Sequence, residues 1–428
     1  MVQMLMLIEI DRLAMLAGIL ECGQVGQIVA VMADRLEGWV GSQGWSRRLQ
    51  GDRFIAMVPI VAESDQSAGV EERLADLQRE MGRPVILQPQ AYTLTVSVGM
   101  VLGARMTVPL LQKEPQSTDI NFASHFPARL DDWSDRWLQN AQTALLCAQE
   151  RGTGQWVCFD PELHQALRDR WALEMALRDA ISQRSLELHY QPIVDLDSGE
   201  TRGFEALCRW HHGDLGGIPP STFIPLAEEL GLMVELGTWV LETACAQMVA
   251  WQRQGLVGPT AKISVNVSPQ QLDESSFGET VRWVLGRTGL DPHCLALEVV
   301  EMAFAQPDID YVPVLKALRG VGISISMDDF GTGYSSLSRL TQLPIDTLKV
   351  DRAFVEQMEW RGEDVAMMQV ILGLAQTLGL EVVAEGASKA CHVEMLRALG
   401  RPLIQGYFYS RALPPAAVPE WLAIASAG

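Results

Sequence analysis

The sequence lacks a C-x-x-C pair, and its seven cysteines (Cys22, Cys147, Cys158, Cys208, Cys245, Cys294, Cys391) are odd in number and widely scattered. The pattern speaks against a disulfide framework, and the thiols read as reduced core residues of a cytoplasmic protein. Basic residues are short: 33 Lys and Arg stand against 53 Asp and Glu, a net charge of −20. A nucleic-acid polymer demands clustered cations, and no basic stripe is present. Long apolar runs are missing too. The apolar start is broken by Glu9, Asp11 and Arg12, so neither a secretory segment nor a membrane span fits. What remains is 428 residues with 48% hydrophobic and 20% charged content, the composition of two or three ordinary globular domains.

The first segment alternates elements. The pattern predicts a strand over 4–10, one helix from Arg12 to about Trp39, a hairpin over 47–61, a helix over 70–81, a strand over 92–102 and a helix over 133–151, an α+β unit. Residues 112–128 are polar and aperiodic, hence a loop. Asp160-Pro161-Glu162 reads as an N-cap with proline at the first helical position. It opens a helix to about Gln183, taken as the linker between a domain over 1–160 and one over 184–428.

From Leu186 onward eight strand-like runs recur, each followed by a helical pattern: LELHYQPIV, TRGFEALCRW, KISVNVS, LALEVVE, ISISMDDF, TLKVD, EVVAEG and LIQGYFY. Spread over about 240 residues, they match an α/β barrel of the TIM type. Alternation sets Ser264 with Asn266, and Ser324 with Ser326 and Asp328, on one face of their strands. Polar residues therefore gather at the C-terminal strand ends, where barrel active sites lie: Glu205, Asn266, Glu298, Asp328, Lys349, Glu385 and Gln405.

Asp328 beside Asp329 asks for a cation between like charges, or else is a strand-to-loop turn. With four strands ending in carboxylates, a common function is the better account. Carboxylates and one amide are hard oxygen ligands, suited to Mg²⁺ or Mn²⁺ and not to zinc. His211-His212 reads as loop surface. The residues alone thus indicate a metal-dependent phosphoryl hydrolase whose paired aspartates can serve two cations.

Ordered motifs over 163–413 then resemble the EAL-domain family of cyclic diguanylate phosphodiesterases, a bacterial signalling family: YQPIVDL, Glu205-Ala206-Leu207 with Arg209-Trp210, FIPLAEELG, NVS, DDFGTGYSSL, LKVD, AEG and QGY. The resemblance implies a first cation on Glu205, Asn266, Glu298 and Asp328. A second would be shared by Asp328 with Asp329 and Glu385. It makes Lys349 the residue that orients or activates the attacking water, with Gln405 near it, and Gln191 and Arg209 substrate contacts. Glu301 would support the loop after Asp329, where Gly331 and Gly333 permit unusual backbone angles. The implied reaction is hydrolysis of cyclic diguanylate to linear pGpG. The alternative is a receptor that binds the dinucleotide without cutting it. Two departures, Val300 for the usual Thr and Ser388 for a second glutamate, touch no implied ligand.

The first segment resembles a degraded GGDEF domain, the diguanylate cyclase fold. RLQGDRF stands at the signature: Gln50 replaces its first Gly, and Arg53 reverses the charge of its Glu. Glu9 occupies the metal aspartate, Ala17 the expected Asn and Gln27 or a neighbour the guanine-binding acid, and no R-x-x-D site precedes Gln50. An arginine would repel cations, so an inactive regulator is expected. A homodimer is expected as well. Because the family's leading helix has no counterpart before Met4, either it is absent or an upstream sensor precedes this chain.

Overall fold

The protein, seen as a computed structural model, is described over residues 2–49, 51–60, 66–87, 89–104, 133–305, 310–331, 340–356 and 362–425. The loop expected over 112–128, Gln50, Gly333 and the YSSL run lie outside the described residues. The chain divides into two compact units, Met1–Ala172 and Leu173–Gly428.

In the first unit, strand β1 (Val2–Ile10) is apolar on both faces, and a strand of that kind must be covered on both. It lies at the centre of a five-stranded sheet with β2 (Trp45–Arg48), β3 (Arg53–Ile60), β6 (Val96–Ala104) and β7 (Trp156–Cys158), in the order β2-β3-β1-β6-β7. A separate hairpin pairs β4 (Val85–Leu87) with β5 (Gln90–Tyr92). Met4, Met6 and Ile8 share a core with Ile28 and Met32 of helix α2 (Cys22–Val40) and Leu74 of α3 (Gln66–Met81). Leu5 and Leu7, pointing the other way, pack with Ala141 and Leu145 of α4 (Trp133–Glu150). This helix approaches β6 so closely that a Cβ on Gly99 would stand 2.1 Å from the backbone nitrogen of Leu145. Only glycine fits there.

In this unit two expectations need correction. The single helix over 12–39 is two, α1 (Leu13–Ala17) and α2, because Glu21 and Gln24 form a reciprocal cap that starts the second afresh. The strand expected over 92–102 begins only at Val96, since residues up to Tyr92 belong to the small hairpin.

Helix α5 (Pro161–Ser182) sends Leu177, Ala180 and Ile181 into the core of the second unit. That unit is a closed eight-stranded barrel: β8 (Glu187–Asp195), β9 (Thr201–His212), β11 (Lys262–Val267), β12 (Leu295–Val300), β13 (Ser324–Phe330), β14 (Thr347–Val350), β15 (Glu381–Glu385) and β16 (Leu403–Gln405), with β8 pairing both β16 and β9. Val265, Leu297, Ile325 and Leu348 are fully buried in the apolar core. Among the described residues, the rule of a helix after every strand fails between β8 and β9. Strands β8 and β9 join directly through a turn, where Asp195 accepts from the Asp197 and Ser198 amides, so β8 runs antiparallel to both neighbours. His211 and His212 are not loop: they end β9 and pair with Gly217 and Gly216 of β10 (Gly216–Ile218). Among the described residues no helix is long and apolar enough to cross a membrane.

At the end of β1, Asp11 accepts hydrogen bonds from Thr95 Oγ1 (2.6 Å), Ser97 Oγ (2.6 Å) and the Gly154 amide (2.7 Å), tying three segments together. Asp11→Ala strands all three donors and should destabilise the first unit by about 2–4 kcal/mol. Hydrogen exchange at the β6 amides reads this loss; unchanged protection would refute it.

Candidate active site

The parallel strands deliver their polar residues to one end in register. Glu205 of β9 pairs with Gln191 of β8 and Ser264 of β11; Asn266 pairs with Glu298, Val300 with Asp328, and Glu385 with Gln405. Lys349 stands at the centre of this ring and is 1% exposed. Its Nζ lies 2.6 Å from Glu385 Oε1, 2.7 Å from Glu298 Oε2, 3.2 Å from Asp328 Oδ1 and 3.5 Å from Glu205 Oε2. Four carboxylates thus face one ammonium.

A second tier of amides fixes the ring. Asn266 Nδ2 donates to Glu205 Oε1 at 2.7 Å, and Gln405 Nε2 donates to Glu205 Oε2 and to Gln191 Oε1. Gln191 in turn donates to the Ser410 carbonyl. Both oxygens of Glu205 are therefore held by neutral donors. Its neighbours are less satisfied: the buried Oε1 of Glu298 finds no hydrogen-bond donor among the described residues.

The electrostatics follow from burial against a shortage of positive charge. Burial, joined by the charges of Glu205 and Asp328, pushes the Glu298 carboxyl well above its ordinary range despite Lys349. Glu385 is pushed up to about 7 by burial, against the pull of Lys349. Burial also opposes the charge on Glu205, but Lys349 and the donors Gln405 and Asn266 outweigh it and hold that carboxyl low. For Lys349, burial is overcome by Glu205, Glu298, Glu385 and Asp328, which keep the ammonium charged.

At the edge of the ring, Asp328, Asp329 and Glu385 each offer an oxygen, all within 4.8 Å of one another. Asp329 is turned outward by a left-handed backbone, φ 54°, uncommon for a residue with a side chain. Gly331 follows at φ 101°, where a Cβ would meet the Phe354 ring at 2.4 Å, and its amide donates to Glu301 Oε2 at 2.9 Å. Glu301 thus grips the backbone just past the paired aspartates.

The structure brings together Glu205, Asn266, Glu298, Asp328, Lys349, Glu385, Gln191 and Gln405, with Asp329 and Glu301 beside them. Arg209 is half-buried further along β9, and its guanidinium donates to the Cys208 carbonyl. Asp351 was missed. It faces Asp329 closely enough to help burial and Asp328 push that carboxyl up. Its signal was the acid two residues after Lys349 in LKVD.

Hard oxygen donors, an orphaned buried carboxylate oxygen and a surplus of negative charge fit a divalent cation of the Mg²⁺ or Mn²⁺ type. Asp328, Asp329 and Glu385 would hold one such ion, and Glu205, Asn266, Glu298 and Asp328 could hold another.

Residues 174–412 match the EAL domain. The chain is 33% identical to the cyclic di-GMP phosphodiesterase NbdA of Pseudomonas aeruginosa, over 92% of this chain and 47% of that protein. It is 32% identical to the bifunctional diguanylate cyclase/cyclic di-GMP phosphodiesterase MucR of the same organism, over 90% of this chain and 52% of MucR. The chain spans about half the length of these relatives. Among solved structures, the PaMucR phosphodiesterase in complex with c-di-GMP is 42% identical, covers 57% of this chain and 98% of its own, and superposes with a TM-score of 0.54. Through its barrel unit, the chain belongs to the EAL domain family.

Proposed function

We propose that the barrel unit is a metal-dependent phosphodiesterase that hydrolyses cyclic diguanylate to linear pGpG. The observation that carries this reading is the intact ring around Lys349, to which Glu205 contributes from within β9 and the other implied ligands from the last residues of their strands. A receptor that binds without cutting has no need of a buried lysine among four carboxylates. The c-di-GMP-bound barrel of PaMucR supports the substrate.

When bound, the cations supply Lewis-acid polarisation of the phosphoryl oxygens and a more acidic water. The chain's own residues do the rest. Lys349 places a fixed positive charge beside the attacking oxygen and favours its deprotonated form. Gln405 and Asn266 pin Glu205, so the ligand oxygens are oriented before substrate arrives. Arg209 and Gln191 contact the dinucleotide, and Glu301 holds the loop that carries Asp329. The water oxygen bonds to phosphorus, the P–O3′ bond breaks, and the water's proton ends on the leaving 3′ oxygen.

For the first unit, we infer a degenerate cyclase-like domain that regulates the barrel. The MucR match covers more of the chain than the barrel unit can supply, so it extends into this segment. Arg53 Nε lies 2.6 Å from Glu9 Oε2, and Gln149 donates to Glu9 Oε1 at 2.8 Å. A guanidinium sits where a cation would be needed. The 428-residue chain given GTP and Mg²⁺ should make no cyclic diguanylate; any detectable synthesis overturns this part.

The catalytic reading is tested by incubating purified protein with cyclic diguanylate and Mg²⁺ or Mn²⁺ and separating pGpG by chromatography. Lys349→Ala should lower kcat by about 10²–10⁴ while substrate affinity changes far less. Asp328→Ala should lose both cations, whereas Asp329→Ala should keep one and still bind substrate. Equal cation stoichiometry and full activity in both would reduce the paired aspartates to a turn.

A pH effect follows from Glu385. Its folded pKa of about 7 lies above the ordinary 4.5, so its contribution is fully present below about 4.5 and is lost as pH rises through about 7. In EDTA the melting temperature should therefore fall over that window, and Mg²⁺ should flatten the fall. A melting temperature that rises across it in EDTA would contradict the assignment.

A further inference from the structure

Opposite the candidate active site, a second opening enters the barrel at the end where the parallel strands begin. A cavity of about 880 Å³ is rimmed there by Ser198 and Glu200 of the β8–β9 connection, by Arg202 at the start of β9, by Thr260 ahead of β11, and by Glu381 at the start of β15. It runs inward to the underside of Lys349 and Glu298. Barrels of this kind are ordinarily filled by layers of Val, Ile and Leu. Here Ser264, Ala296, Ser326 and Thr347 line the hollow instead. Ser264 pairs in register with Ala296, and Ser326 with Thr347, so small side chains stand side by side on two pairs of neighbouring strands.

The hydroxyls among these side chains are informative. Ser264, Ser326 and Thr347 are 5%, 3% and 5% exposed, yet none makes a side-chain hydrogen bond among the described residues. Buried hydroxyls without partners are costly unless solvent meets them. Glu298, whose buried Oε1 has no partner among the described residues, is one of the residues at the inner end of the hollow. A polar, roomy space with several partners per site holds water.

We propose that this opening is a water-binding chamber that hydrates the Lys349 cluster from below. Four carboxylates against one ammonium are expensive to keep in a barrel interior, and ordered water beneath them offsets part of that cost before any cation binds. The small side chains are then a requirement of the charge cluster and not a packing defect. The chamber does not depend on what the upper mouth binds or cleaves.

Filling distinguishes the two cases. If the hollow were a defect, Ser264→Val and Ser326→Val would raise the melting temperature, as added methyl groups do in an empty cavity. A hydrating chamber gives the opposite sign: in EDTA each variant should melt lower by about 3 °C or more, and Mg²⁺ or Mn²⁺ should shrink the difference. A higher melting temperature in EDTA overturns the proposal. Should a filled variant fail to fold, Ser264→Cys probes the opening directly. Methyl methanethiosulfonate should add mass to the peptide carrying residue 264 in the folded protein, and a bulky maleimide placed first on Thr201→Cys should slow that labelling. Labelling only after unfolding, or labelling indifferent to the lower-mouth block, overturns it. Both readouts stand whether or not the protein hydrolyses a dinucleotide.

Discussion

Everything at the top of the barrel answers to one electrostatic constraint: a lysine with 1% exposure is surrounded by Glu205, Glu298, Asp328 and Glu385 within 3.5 Å. One ammonium cannot neutralise four carboxylates. The fold distributes the imbalance unequally. Glu205 receives two amide donors besides Lys349 and stays ionised, while Glu298 and Glu385 receive less and are pushed up by burial. A site with this gradient has one side already fixed and another open to an arriving cation. Removing Lys349 would leave the carboxylates uncompensated, which is why its role in chemistry and its role in holding the ring cannot be separated by stability alone.

The backbone beneath the ring is shaped to the same end. Asp329 continues β13 only by adopting a left-handed conformation, which turns its carboxylate beside that of Asp328. Gly331 and Gly386 then pass Phe354 and Arg352 at distances that leave no room for a Cβ. Glu301 secures the first of these crossings through the Gly331 amide. Strain at Asp329 is thus held in place by packing on one side and a charge-assisted hydrogen bond on the other.

Much of this was legible in the sequence because barrel strands impose two strict periodicities. Alternation along each strand separated Ser264 and Asn266 from Val265 and Val267, and the recurrence of carboxylates at strand ends gave the ring. What was not legible depends on contacts distant in sequence. The direct β8–β9 turn leaves no strong signature, since Asp197-Ser198-Gly199 would also suit a connection to a helix. Asp351 escaped because its position opposite Asp329 is set by the stagger between β13 and β14, where the register shifts after Met327. The break between α1 and α2 was hidden by continuous helical periodicity, and only the reciprocal cap of Glu21 and Gln24 reveals it.

The two units treat their acids in opposite ways. In the first, Glu9 is met by the Arg53 guanidinium and the Gln149 amide, so charge and hydrogen-bonding capacity are both satisfied from within the protein. In the second, Lys349 is shared among too many acids, and Glu298 keeps an oxygen with no donor. A guanidinium is always charged and presents a rigid fork of donors. An ammonium on a flexible stem holds several carboxylates loosely and can yield part of its place to a metal ion. The contrast between Arg53 and Lys349 is therefore one of charge balance within one chain: Glu9 has a cation of its own, and the ring around Lys349 is kept short of positive charge.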